Sequence, residues 1–196
     1  MGAFTEIGIY IVQTLGSLYL LVVMLRFLFQ LVRADFYNPI SQFMVKATNP
    51  LLKPLRKVIP GAFGIDLASV VLALLVQWLV IQLCALLLGA GFLNPLQVLT
   101  WALIGLLSLT ANIFFWGLLI SIVVSWVAPQ SYHPALLLLR QLIEPVMAPF
   151  KRMIPPMGGL DISPIFAFLA LNIIKILIAN LAAAVGVPNQ IVLGIF

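Results

Sequence analysis

Charge is what this chain is short of. Of its 196 residues only 15 are Lys, Arg, Asp or Glu, and 64% are hydrophobic. Positions 67 to 139 form a run of 73 residues without any of the four, and the mean hydropathy is +1.22. A soluble domain of this size could not hide such a run, because its core would be too small. The composition therefore requires an integral membrane protein. Cysteine and histidine are almost absent as well. A single Cys84 excludes an intrachain disulfide, and with His133 the only histidine no structural zinc or iron–sulfur site is expected. There is no Ser-His-Asp set, HExxH motif, phosphate-cradling glycine loop or intramembrane acid pair, so neither an enzyme nor a cofactor is expected. A basic n-region is missing too, and Glu6 stands in its place. The first apolar run is accordingly read as a retained helix rather than a cleaved signal.

What is present is a duplication. Residues 33–69 and 128–164 carry one element twice, 95 positions apart and without a gap. Tyr37, Pro39, Pro50, Pro54, Ile59, Pro60, Gly64 and Asp66 return as Tyr132, Pro134, Pro145, Pro149, Ile154, Pro155, Gly159 and Asp161. The basic pair Arg56-Lys57 returns as Lys151-Arg152. A proline scaffold repeated in phase marks two copies of one unit, here residues 1–95 and 96–196.

A bilayer core about 30 Å thick needs about 20 apolar residues per helix. Four stretches qualify: about 7–32, 67–92, 96–127 and 162–187. The third is overlong and is expected to tilt, or to begin nearer Ala102. Asn94-Pro95 supplies a turn before it. The fold class predicted is an all-α membrane protein: four transmembrane helices in two parallel helix–elbow–helix repeats, with elbows at 33–66 and 128–161. Eight of the ten basic residues fall in these elbows, and the 91–95 turn and both termini have none. The positive-inside rule then places the elbows in the cytoplasm and both termini outside. Parallel repeats of this kind differ from the inverted repeats of many transporters.

Within the first elbow, Asn38-Pro39 offers an N-cap followed by proline at the first helical position. Ile40, Phe43, Met44, Ala47 and Leu51 then keep helical spacing, as do Ala135, Leu138, Leu139, Leu142 and Val146. Such a stripe beside Lys46 or Arg140 predicts an amphipathic helix lying on the membrane surface. Asn49-Pro50 repeats the cap-plus-proline device, with Pro54 one turn on and Glu144-Pro145 as its second copy. A kinked second segment, ended at Pro60, is expected there.

Lys53, Arg56, Lys57, Lys151 and Arg152 sit at the water–lipid boundary of this scheme. They suit anionic lipid headgroups of the cytoplasmic leaflet, at about 1 kcal/mol each, and they also suit a cytoplasmic protein partner. No nucleic-acid recognition module accompanies them. Asp66 and Asp161 stand where the returning helices begin and are expected to cap them; a pairing of Asp66 with Arg26 is the alternative. Arg26 itself is expected to snorkel to the nearby basic edge. His133 aligns with Asn38 and is read as a cap rather than a ligand. Small residues such as Gly105, Ser108, Ala111 and Gly117 are expected to let helices pack closely.

Lys175 resists a structural account. It lies 13 positions into the fourth helix, about 20 Å from the cytoplasmic end at 1.5 Å per residue, where a cation is costly. Asn172 shares its face. These two, with Gln77, Gln82 or Asn112, could line a polar cavity or ion path. Against that stands a lysine at a helix–helix or subunit contact, since its repeat counterpart is Val80.

The strings DFYNPISQF (35–43), NPLLKPLRKVIP (49–60), GIDLAS (64–69) and EPVMAPFKRMIPPMGGLDISP (144–164) resemble the YggT/YlmG family of bacterial and plastid membrane proteins. The double-repeat form is similar to the proteobacterial YggT type. The second copy departs at Ser41, Gln42 and Lys46, which become Leu136, Leu137 and Gln141, so the two halves are not expected to share any role of those side chains. The resemblance implies an inner-membrane location and roles in septum and nucleoid organisation, plastid cytochrome assembly or osmotic tolerance. It brings no catalytic residues. The function expected is a non-enzymatic scaffold or assembly factor with an unidentified protein partner. The alternative is a channel or transport component for ions or osmolytes, which with four spans would need a homo-oligomer.

Overall fold

A computed structural model describes residues 2–61, 64–128, 130–153 and 162–194. Among the described residues there are six helices: α1 (Ala3–Leu31), α2 (Pro39–Val58), α3 (Leu67–Leu87), α4 (Pro95–Val127), α5 (Pro134–Met153) and α6 (Ser163–Ala184). Four of them, α1, α3, α4 and α6, are long and apolar enough to cross a membrane. The elbow helices α2 and α5 begin and end 95 positions apart, so the repeat read in the sequence is a repeat of structure. Helix α1 packs on α3 and α4 on α6, while the α3–α4 contact joins the two halves.

The elements start where capping chemistry places them. Asn38 Oδ1 accepts from the Ile40 amide at 2.9 Å and Asn94 Oδ1 from the Leu96 amide at 3.0 Å, each with proline at the next position. His133 Nδ1 accepts from the Ala135 amide at 3.3 Å, the cap role expected of it. Helix α4 begins at Pro95 and runs for 33 residues, about 50 Å at 1.5 Å per residue, longer than a hydrocarbon core about 30 Å thick.

The elbow differs from the expected two-segment form. Pro39 to Val58 is one helix with Pro50 and Pro54 inside it, and α5 holds Pro145 and Pro149 in the same way. Each proline removes one i→i−4 bond. Spaced four apart, Pro50 and Pro54 share one exposed face with Lys46, so the carbonyls they leave unbonded lie on the outer side. Pro60 follows the helix end at Val58.

The main core joins Leu20, Val23 and Met24 of α1, Leu72, Val80 and Ile81 of α3, and Val98, Trp101 and Ala102 of α4. Into it folds the chain beyond α6, where Val187, Ile191, Val192 and Leu193 are buried. This C-terminal hook was not anticipated from the sequence. A second, smaller core in the second repeat gathers Leu118, Ile143, Met147, Ala167 and Leu171. Large apolar side chains such as Phe4, Ile165 and Leu177 remain exposed on the spans, as a lipid-facing surface requires.

Three helices end in one motif. In α1, α3 and α6 the amides of the two residues past the C-cap bond back into the last turn: Arg33 to Gln30 O and Ala34 to Phe29 O, Gly89 to Leu86 O and Ala90 to Ala85 O, Gly186 to Ala183 O and Val187 to Ala182 O. The motif needs a left-handed residue, for which glycine is the usual choice. Gly89 (φ 76°) and Gly186 (φ 65°) conform, whereas α1 uses Arg33 at φ 55°.

Candidate functional site

The C-terminal end of α1, the inner face of α2 and the approach to α3 enclose a cleft of about 710 Å³. Its polar lining is Arg26, Gln30, Arg33, Ser41, Arg56 and Asp66; Phe29, Phe36 and Met44 are among its apolar walls. Nothing in the local sequence pattern marks these residues as lining one cavity.

Arg26 organises the site. It is buried at 7% exposure and does not snorkel. Its Nη1 donates to Asn49 Oδ1 at 3.0 Å and to Val45 O at 3.2 Å, and it also bonds the Thr48 hydroxyl. Thr48 in turn donates to Met44 O at 2.7 Å. A charge inside α1 is thus satisfied by the middle of α2, which is the condition for burying it. Asn49 is therefore an acceptor for Arg26, not the cap of a second helix. The same contacts decide which face of α2 turns inward: Ser41, Met44, Thr48 and Leu52 are buried, while Phe43 (63%) and Leu51 of the expected apolar stripe are exposed. A buried arginine draws the hydroxyl-bearing face toward itself and leaves Phe43 outside.

Asp66 closes the far side. Its carboxylate accepts from Arg56 Nη2 at 2.5 Å, from Arg56 Nε at 3.4 Å and from Ser69 Oγ at 2.5 Å. It occupies the N-cap position of α3 without a side-chain capping bond, and its ionic partner is Arg56 rather than Arg26. Capping is lost because the buried carboxylate is taken by charge-assisted bonds, which are the stronger ones. Burial acts to raise the Asp66 pKa, but the bonds from Arg56 and Ser69, with the charges of Arg56 and Arg26, outweigh it and hold the group below its ordinary 3.8. Pro155 and Asp161 of the second copy lie outside the described residues.

The second elbow keeps the frame and loses the polar site. At the positions of Arg26, Arg33, Ser41 and Thr48 stand Ser121, Ala128, Leu136 and Ile143. Ile143 packs in the second core, and a Cβ on Gly117 would come within 2.9 Å of its Cδ1. Gly117 thus admits the elbow helix rather than another span. Leu138, the counterpart of Phe43, is 1% exposed. The two elbows touch: Asn38 Nδ2 donates to Pro134 O and the Asp35 amide to Gln141 Oε1, both at 2.9 Å.

Of the basic cluster, Lys53, Lys57 and Arg152 are exposed. Arg56 is held by Asp66, and Lys151 Nζ lies 2.8 Å from Glu144 Oε2 in an exposed pair, which contributes little to stability. Of the prolines, Pro39, Pro50, Pro54, Pro60, Pro145 and Pro149 are exposed and Pro134 is half-buried.

The intramembrane polar residues are engaged with backbone and ring partners. Gln77 Nε2 donates to Leu193 O at 3.0 Å, Ser108 Oγ to Gly194 O at 2.6 Å and Asn112 Nδ2 to Gly194 O at 3.0 Å. Together they satisfy the carbonyls of the C-terminal hook. Gly105 makes room for it, since a Cβ there would lie 2.5 Å from Gln77 Nε2 and 2.7 Å from Val192; Gly105 and Ser108 serve the hook rather than a helix–helix seam. Gln82 Nε2 and Oε1 pair with Leu93 O and the Leu93 amide, both at 3.3 Å. Lys175 Nζ sits 4.3 Å from the Phe115 ring centroid, and Asn172 donates to Phe168 O within α6.

Comparison with known proteins follows this anatomy. The CCB3/YggT family model matches residues 5–87 and again 100–182, and both bounds of the second match lie 95 positions beyond those of the first. A protein of Pseudomonas aeruginosa is 56% identical over 94% of this chain and 94% of its own length. The Escherichia coli K12 protein YggT is 37% identical, with 90% and 92% covered. The Arabidopsis thaliana YlmG homolog protein 2, chloroplastic, is 44% identical over 31% of this chain and 24% of its own. No solved structure matches.

Proposed function

The chain belongs to the CCB3/YggT family, and we propose that it acts as a non-enzymatic scaffold or assembly factor of the bacterial inner membrane. The carrying observation is the pair of elbow helices. Each is packed against spans on one face, each presents cations on the other, and the two are bonded together through Asn38 and Pro134. Lys53 and Lys57 of the first elbow helix and Arg152 of the second are all exposed, and cations so presented suit an acidic cytoplasmic partner. The gathering of eight of ten basic residues in the elbows supports a cytoplasmic platform with both termini periplasmic. Division and nucleoid organisation, membrane complex assembly and osmotic tolerance are the processes the family resemblance suggests for it.

The test is in-cell crosslinking with mass spectrometry on wild type and a Lys53→Gln, Lys57→Gln, Arg152→Gln variant matched for expression. These three take no part in the Arg56–Asp66 and Lys151–Glu144 pairs. Specific partners lost in the variant are expected; an unchanged partner set overturns the reading. The alternative of an oligomeric ion or osmolyte channel is favoured by one observation, the lysine inside α6. Equal ion flux in liposomes with and without the protein would remove it.

A further inference from the structure

The two elbow helices share one backbone plan, and among the described residues the first lines a cleft rich in donors. Three arginines face one carboxylate there, and Asp66 is already committed to Arg56. Ser41 is 7% exposed, and its hydroxyl has no hydrogen-bond partner among the described residues. An orphaned buried hydroxyl is costly unless a ligand completes it. The described bonds of Arg26 all come from Nη1, so Nε and Nη2 have no described acceptor. Arg33 reaches the cleft from a left-handed position where glycine would be easier to hold.

We propose that this cleft binds the phosphate-bearing headgroup of an anionic phospholipid. Arginine forks match phosphate oxygens, and Ser41 and Gln30 add neutral donors. The volume, about 710 Å³, falls in the range of small-molecule sites. A lipid rather than a soluble anion is favoured by the walls: Phe29 and Met44 border the arginines, and Arg26 itself belongs to a helix of membrane-spanning length. An amphiphile is the ligand that meets both surfaces at once.

The duplication separates this role from folding. Were Arg33 and Ser41 needed to form an elbow helix, the second copy would need them too. It forms the same helix with Ala128 and Leu136 at their positions. The first copy therefore carries two donors that the second does without. The assignment goes beyond the scaffold reading and holds whether or not the elbows dock a protein.

The experiment is native mass spectrometry and thermal unfolding of the delipidated full chain, titrated with phosphatidylglycerol, phosphatidylcholine or inorganic phosphate. Wild type is expected to bind one phosphatidylglycerol at least tenfold more tightly than phosphatidylcholine, with phosphate alone giving no stabilisation. Arg33→Gly suits the backbone at φ 55° and should fold normally, yet lose tenfold or more in phosphatidylglycerol affinity. Ser41→Ala, which removes only the hydroxyl, should weaken binding several-fold, and Arg152→Gln on the second elbow should not. Equal binding of the two lipids, stabilisation by phosphate alone, or an unchanged affinity in Arg33→Gly would each overturn the proposal.

Discussion

Arg26 Nη1 donates to Asn49 Oδ1 at 3.0 Å, so a buried cation of α1 is bonded beside Pro50, inside the elbow helix. This bond, with those to Thr48 and Val45, fixes how α2 lies against the first span and which of its faces is hidden.

Arg26→Met should therefore loosen the elbow rather than unfold the bundle. Thr48 keeps its bond to Met44 O, but the Asn49 amide oxygen loses its donor. The expected cost is about 1–3 kcal/mol, read as a lower unfolding midpoint in mild detergent. Faster thiol labelling of a Thr48→Cys reporter should accompany it. Unchanged labelling would mean that apolar packing alone holds the elbow.

Asp66 predicts an acid dependence. Its folded pKa is depressed below 3.8, so its contribution is fully present above the unfolded value. It is lost as pH falls through the lower folded one. Asp66→Asn should be less stable than wild type at neutral pH, and the gap should close only as pH drops below about 3.8. A gap constant over pH 7 to about 3 would show that the carboxylate charge carries none of it.

Gly105→Ala should evict the C-terminal hook. The added methyl would meet Gln77 Nε2 at 2.5 Å, Val192 Cγ1 at 2.7 Å and Leu193 O at 3.0 Å, and overpacking of this kind costs about 1–3 kcal/mol. A Val192→Cys label, slow in the parent, should become rapid. Gly2→Ala, with nothing within 4 Å of the new methyl, serves as the neutral control.

Lys175 and Phe115 should be energetically coupled. The ammonium lies 4.3 Å from the ring centroid, and a cation–π contact is worth about 0.5–2 kcal/mol. A double-mutant cycle of Lys175→Met and Phe115→Leu should return a coupling in that range from equilibrium unfolding. Zero coupling would mean that the lysine is held by something other than the ring.

Composition and order of residues determined much of this protein on their own. A 73-residue uncharged run leaves no solution but spans in lipid. Prolines in phase at Pro39 and Pro134, Pro50 and Pro145, Pro54 and Pro149 made the duplication readable, because proline fixes backbone geometry wherever it stands. Caps at Asn38 and His133 were legible for the same reason: they act within two residues of themselves.

What needed the tertiary structure were partnerships across distance. Local patterning put Phe43 on the apolar stripe of a surface-lying helix and let Arg26 snorkel, but only the folded chain shows a buried guanidinium bonded to Thr48 and Asn49, with Ser41, Met44, Thr48 and Leu52 turned inward. Likewise nothing near Gln77 in the chain reveals that its acceptor lies 116 residues away at Leu193. A polar group in an apolar run announces only that it must be satisfied. Which group satisfies it depends on where the folded chain returns, and here Thr48 meets Arg26 in the first repeat while its counterpart Ile143 packs in a small apolar core of the second.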